Sequence, residues 1–165
     1  MEHVFTADLR GVRALGRRLG RCAKVGDVIA LTGDLGAGKT TLTAALARGL
    51  GVAPTIRVQS PTFVLVHEHP GRMLLVHADL YRLGDVDEID GIGLWERGAA
   101  GVLVIEWADR FAGIMPTDTL WVDLAYATED TRRVCVRCDG PSVPRWMCAL
   151  DALQKTPSRE VSPRG

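Results

Sequence analysis

The stretch GDLGAGKTTL, residues 33–42, decides how the chain is expected to fold. Gly33, Gly38, Lys39 and Thr40 match the pattern G-x-x-x-x-G-K-[ST], with Asp34, Leu35, Gly36 and Ala37 between them. Glycines let the backbone wrap so that its N–H groups point inward, and a helix beginning near Lys39 adds the positive end of its dipole. The stretch therefore predicts a loop that cradles the phosphates of a nucleotide.

The two flanks of this loop fit the same prediction. VIALTG, residues 28–33, is a short apolar run, and TTLTAALARGLG, residues 40–51, carries apolar residues at helical spacing before Gly51. The order is thus strand, loop and helix. Within the loop, Lys39 can reach the β and γ phosphates and the hydroxyl of Thr40 can ligate Mg²⁺.

Patterns elsewhere in the chain predict further strands and helices. A helix is expected over residues 7–23 with Thr6 as its N-cap, and one or two short helices over 84–98. Residues 63–69 and 73–81 read as a hairpin, and strands are expected at 101–107, 119–125 and 132–138. Fully apolar strands alternating with helices predict an α/β fold, a P-loop NTPase-like three-layer sandwich with a mainly parallel central sheet and antiparallel edge strands.

Length and composition limit the classes of protein to which the chain can belong. A chain of 165 residues accommodates one domain, expected over residues 1–155, with a disordered tail of Ser, Pro and Arg at 156–165. The net charge of zero gives no general attraction to nucleic acid or to an anionic membrane. Neither a secretory signal nor an apolar run of about 18 residues is present, so we expect a cytoplasmic protein that does not contact a membrane.

Two acids are candidates for the chemistry of a bound nucleotide. Glu106 ends the apolar strand VLVIE, where it can hold the metal directly or through water, or can act on the attacking water. Asp79 ends another apolar strand and is a candidate for orienting water or for a link to the metal, the alternative being a cap for the next turn. His77 lies two residues earlier on the same face, where it either lines the site or is simply packed.

The segment QSPTF, residues 59–63, lies between the loop's helix and the next strand. Nucleotide-sensing loops of P-loop proteins occupy this place, and the hydroxyl of Thr62 or Ser60 could sense a γ-phosphate and its Mg²⁺. The alternative is an ordinary Ser-Pro turn.

Five ordered blocks carry a resemblance to a known family. GDLGAGKTTL, SPTF, HADLYRL, EIDGIGLWE and VIEW occur in the order and spacing of the TsaE (YjeE) family, over roughly residues 5–125. The chain thus resembles the P-loop ATPases of the tRNA threonylcarbamoyladenosine pathway. It departs from the pattern at Ala108, where many relatives have proline, and in the tail after about residue 140, which could cover the sheet edge or be disordered.

The resemblance implies a function and a set of roles. It implies an ATPase that binds a TsaB–TsaD complex and whose ATP hydrolysis supports repeated modification of adenosine 37 in tRNAs that read codons beginning with A, with tRNA contacted only through the assembly. The matched residues are Lys39 for phosphate, Thr40 and Glu106 for Mg²⁺, Thr41 near the α-phosphate, Asp79 for hydrolysis, Thr62 as a switch-like residue, and Trp107, which packs on the nucleotide or the core.

Two other functions remain open at this point. A small-molecule kinase with the same loop would need a lid with arginines over the phosphates, and residues 84–98 offer only Arg97. A nucleotide-gated binding module with negligible hydrolysis is the second alternative.

Overall fold

Seven strands form one sheet at the centre of the protein. The structure is a computed structural model, and it describes residues 1–154. The strands are β1 (Glu2–Asp8), β2 (Val28–Thr32), β3 (Val66–His69), β4 (Leu74–Asp79), β5 (Gly101–Glu106), β6 (Leu120–Tyr126) and β7 (Thr131–Arg137).

The strand order across the sheet is β1-β7-β6-β2-β5-β4-β3. The four central strands β6, β2, β5 and β4 run parallel, while β1, β7 and β3 join through antiparallel pairs. The predicted α/β class, with a mainly parallel centre and antiparallel edges, is confirmed. The carboxyl ends of β2, β4 and β5 lie side by side, and that edge is where ligands bind in such sheets.

Helices cover both faces of the sheet and give three layers. They are α1 (Leu9–Cys22), α2 (Lys39–Gly49), α3 (Val86–Gly91), α4 (Leu94–Ala99) and α5 (Val143–Gln154), with a 3-10 segment at Ala108–Ile114. One core cluster joins α1, α2 and α5 to the sheet, and the other joins α3, α4 and the 3-10 segment to its opposite face. Every residue of β5 is buried because it lies between these two clusters.

Close contact between α1 and α2 fixes the helix that follows the glycine loop. Val12, Leu15 and Leu19 form the buried stripe of α1. Gly20 lies against Gly49 of α2, so that a Cβ on Gly20 would come within 3.0 Å of the Gly49 Cα. The lack of side chains at this crossing lets the two backbones approach.

The N-terminal segment differs from its prediction. Residues 2–8 form strand β1 rather than a leader to a helix at residue 7, and α1 begins at Leu9. Asp8, not Thr6, is the N-cap, and its Oδ1 accepts a hydrogen bond from the Gly11 amide at 2.8 Å. Alternate residues of β1 are exposed, as expected of a half-buried edge strand paired with β7.

Residues after 140 carry a helix that the sequence patterns left open. In α5, Trp146 is buried against the core on the side of α1. Both terminal guanidinium nitrogens of Arg145 donate to the Asp27 carboxylate at 2.6 Å, which ties α5 to the turn before β2. The predicted tail, residues 156–165, lies outside the described residues.

Candidate nucleotide site

The glycine loop, residues 33–40, links the end of β2 to the start of α2. Gly33, Gly36 and Gly38 all have positive φ angles, which glycine adopts most readily. A Cβ on Gly33 would overlap the carbonyl oxygen of Leu124, and one on Gly36 would lie 2.8 Å from the Tyr126 hydroxyl. The loop therefore needs glycine for its turns at all three positions, and at Gly33 also for its fit against the backbone of β6.

Lys39 is buried at the first position of α2. Its Nζ donates to the carbonyls of Gly33 at 2.6 Å and Asp34 at 2.9 Å, and lies 3.7 Å from the centre of the Trp107 ring. Burial lowers the pKa of Lys39 from its usual value, and the Glu106 carboxylate opposes that shift. The ammonium group is thus held in the loop by groups that a phosphate oxygen can replace.

Thr40 and Glu106 face each other across the ends of neighbouring elements. The Thr40 hydroxyl donates to Glu106 Oε2 at 3.0 Å, and His77 Nε2 lies 2.8 Å from Glu106 Oε1. The parallel pairing of β5 with β2 and β4 brings the three side chains together. Only 3% of the Glu106 side chain is exposed, so this carboxylate is buried with a hydroxyl on one oxygen and an imidazole on the other.

Asp79 anchors the segment that contains the SPT sequence. Its Oδ2 accepts hydrogen bonds from the hydroxyls of Thr62, at 2.8 Å, and Ser60, and its Oδ1 accepts from the Tyr81 amide at 2.9 Å. Asp79 lies opposite Glu106 in the register of β4 and β5. The two acids therefore stand side by side, Asp79 toward the SPT segment and Glu106 toward the glycine loop.

These groups line a cavity of about 300 Å³ at the carboxyl edge of the sheet. Its lining consists of Leu35, Gly36, Gly38, Lys39, Thr40, Thr41, Ser60, Thr62, Asp79, Tyr81, Glu106 and Trp107. No side chain of the described residues caps the start of α2, whose N-cap is Gly38. The cavity thus combines a lysine, uncapped helix N–H groups and a hydroxyl–carboxylate pair. This donor set fits a phosphate chain with a hard cation such as Mg²⁺.

Comparison with models of protein families shows which family the chain belongs to. A family model described as "Threonylcarbamoyl adenosine biosynthesis protein TsaE" matches residues 6–134. The chain belongs to the TsaE family. A relative from Streptomyces coelicolor is 42% identical over 124 residues, which cover 73% of this chain and 82% of the relative. Another from Nostoc is 40% identical over 139 residues, covering 81% and 83%.

Both relatives are named tRNA threonylcarbamoyladenosine biosynthesis protein TsaE, and the family takes part in that biosynthesis. The crystal structure of Bacillus subtilis YdiB superposes with a TM-score of 0.72 at 29% identity, and the match covers 93% of this chain and 95% of YdiB. The resemblance to the TsaE family that the five sequence blocks predicted is confirmed.

Ten of the twelve residues that the sequence nominated for a TsaE-like site line the cavity. The other two belong to the wall of the glycine loop. Asp34 contributes its carbonyl to Lys39, and Ala37 is buried, with its carbonyl accepting from Arg132 Nε at 3.0 Å.

Other residues of the site gave weak signals in the sequence. The sequence left open whether His77 lines the site or is simply packed; it does not line the cavity but contacts Glu106 from behind, through the register of β4 against β5. Tyr81 packs on Trp107, with ring centres 4.9 Å apart, and Trp107 has a positive φ of 60°. Arg132 comes from β7, 95 residues beyond the loop carbonyl it supports, so no local pattern marked it.

Among the described residues, no helix combines the length and apolar character needed to cross a membrane.

Proposed function

We propose that this chain binds ATP with Mg²⁺ and hydrolyses it to support a complex of the TsaB–TsaD type, which forms threonylcarbamoyladenosine at position 37 of tRNAs reading codons that begin with A. The observation that carries the proposal is the convergence of Lys39, Thr40, Glu106 and Asp79 on one cavity. Membership of the TsaE family supports the pathway. tRNA is contacted only through the assembly, and the work takes place in the cytoplasm, where tRNA is modified.

Binding is assigned to the glycine loop and the start of α2. Lys39 would exchange its two carbonyl partners for phosphate oxygens, with which an ammonium group makes stronger, charge-assisted hydrogen bonds. The N–H groups of residues 34–38 would face the same phosphates, and Thr41 would lie near the α-phosphate. Trp107 would pack beside the nucleotide, since it already forms one wall of the cavity.

The metal is assigned to Thr40 and Glu106. Their side chains lie in contact, so a cation between them would have a hydroxyl and a carboxylate oxygen within reach, directly or through water. When bound, Mg²⁺ would neutralise charge that develops on the phosphates during transfer.

Hydrolysis is assigned to Asp79 with Thr62. Asp79 holds the hydroxyls of Thr62 and Ser60 at the cavity wall, where Thr62 can respond to a terminal phosphate. The Asp79 carboxylate is the candidate acceptor for a proton of the attacking water, or the group that orients it, and Glu106 is the alternative.

The kinase alternative gains no support from the segment expected to form its lid. Arg97, the arginine of residues 84–98, donates to Glu68 at 2.7 Å and to the carbonyl of Ile92, and it is not part of the cavity lining. A binding module with negligible hydrolysis would use the same cavity, so turnover must be measured.

The test is ATP turnover with Mg²⁺ by the full chain, alone and with a purified TsaB–TsaD pair. Glu106→Gln removes the charge of the metal carboxylate, and Glu96→Gln on the exposed surface of α4 is the matched control. We expect stimulation by the pair that Glu106→Gln abolishes and Glu96→Gln retains. ATP binding without hydrolysis under every condition would replace the proposal with the binding module.

A further inference from the structure

His77 is a buried imidazole that the proposed chemistry does not yet use. It lies on β4, two residues before Asp79, and none of its surface is exposed. Its Nε2 lies 2.8 Å from Glu106 Oε1, and no described residue pairs with its Nδ1. The ring of His69, on the adjacent strand β3, is 6.5 Å away between centres.

The direction of this hydrogen bond follows from the chemistry of its two partners. A carboxylate that ligates a metal is ionised and cannot donate a hydrogen bond, so in that state the hydrogen between the two groups belongs to Nε2. His77 is therefore an N–H donor aimed at Glu106. A buried carboxylate without such a donor would lose a charge-assisted hydrogen bond that is among the stronger ones in proteins.

Each oxygen of Glu106 has its own partner. His77 holds Oε1 and Thr40 holds Oε2, so rotation of the carboxylate about its last bond would break both contacts. His77 comes from β4 and Thr40 from α2, so the two contacts are anchored in different elements. When Thr40 turns its hydroxyl oxygen toward a cation, its contact with Oε2 changes, whereas the contact from His77 does not depend on that movement.

We propose that His77 is a positioning residue for the metal, which it holds in place through Glu106. Because His77 is hydrogen-bonded to Oε1, the other oxygen, Oε2, stays directed at Thr40 and at the cation that Thr40 and Glu106 would share. This inference rests on the proposed function, because it assigns a metal role to Glu106. Two substitutions can separate the hydrogen-bond donor of His77 from the space that its ring fills.

The experiment compares three full-length proteins: the wild type, His77→Gln, which keeps an N–H donor, and His77→Leu, which keeps bulk without one. Mn²⁺ serves as the probe, and its affinity for the ADP complex is read from electron paramagnetic resonance. Partners of metal ligands typically contribute about 10- to 100-fold in metal affinity. We expect a loss of that size in His77→Leu and recovery of most of it in His77→Gln.

Two results would overturn the proposal. Unchanged Mn²⁺ affinity in a folded His77→Leu protein would show that Glu106 needs no such support. Equal losses in His77→Leu and His77→Gln would show that the ring acts by packing rather than by its donor. Affinity for ADP without metal is measured in parallel and is expected to stay within about 3-fold, because His77 does not line the cavity.

A measurement on the wild type needs neither variant nor nucleotide. Nitrogen-15 NMR of the imidazole distinguishes which ring nitrogen carries hydrogen, and the chain has four histidines to assign. We expect hydrogen on Nε2 of His77, and a ring that carries hydrogen on Nδ1 alone would contradict the proposal.

The NMR result and the ADP titration together separate this proposal from the proposed function. If the wild type bound no ADP at all while His77 carried hydrogen on Nε2, the proposed function would fail and the contact with Glu106 would stand.

Discussion

Replacing Gly20 by alanine sets two effects of opposite sign against each other. Alanine in a helix interior is favoured over glycine by about 1 kcal/mol. The new Cβ, however, would overlap the Leu46 carbonyl oxygen and lie 3.0 Å from the Gly49 Cα, both of them backbone atoms of α2. Backbone atoms cannot relieve this overlap by a change of rotamer, so the two helices must move apart.

The size of the net effect follows from these terms. Overpacking of this kind costs about 1–3 kcal/mol, and contact with backbone places Gly20 toward the upper end of that range. After subtracting the gain in helix propensity, we expect Gly20→Ala to lower the free energy of unfolding by about 1–2 kcal/mol. For a chain of this length, the melting temperature should fall by about 2–8 °C.

Urea unfolding and thermal melting measure this change, with Gly91→Ala as the matched control. Gly91 ends α3, and a Cβ added there would meet no atom within 4 Å beyond its own helix and chain neighbours. That variant should be as stable as the wild type or up to about 1 kcal/mol more stable. Equal or greater stability of Gly20→Ala would refute the claim that bare backbone contact fixes α2 against α1.

Three further predictions concern the site and the thiols. Lys39→Ala is expected to weaken ATP binding at least about 10-fold in calorimetry, because it removes a charge-assisted donor; equal affinity would contradict its phosphate role. Asp79→Asn is expected to slow turnover by about 10²-fold or more while ATP affinity stays within about 3-fold, and loss of binding instead would assign Asp79 to the ligand. Burial raises the pKa of Cys138, so at about pH 8 iodoacetamide should modify exposed Cys148 well before Cys138; equal rates, read by peptide mass spectrometry, would contradict that burial.

The central part of the fold could be predicted because its signals are local. A short apolar run, a glycine loop and a helical pattern follow one another in residues 28–51, and each is specified by neighbouring residues. The edge strand β1 was harder to predict. Strand β1 becomes half-buried only by pairing with β7, more than 120 residues away, so its alternating pattern was too short to outweigh the helix that follows it.

The same distinction applies to the site. Lys39 and Thr40 are fixed by a motif, and Glu106 and Asp79 by their places at strand ends, so all four could be nominated from the sequence. His77 and Ser60 were candidates for the site, but their hydrogen bonds to those acids could not be predicted, because the bonds depend on strand register and on the path of a loop. Arg132 could not be predicted for the same reason, since it supports the glycine loop from a strand far along the chain.

The position of Trp107 gives the protein a built-in optical probe. Of the four tryptophans, all within the described chain, Trp107 is the one that lines the cavity, with the Lys39 ammonium 3.7 Å from its ring centre. A cation that leaves the face of an indole changes the electrostatic field on the ring, and with it the emission. Stopped-flow fluorescence of a chain with phenylalanine at the other three positions would then record, without any label, the moment at which the lysine exchanges carbonyl oxygens for phosphate.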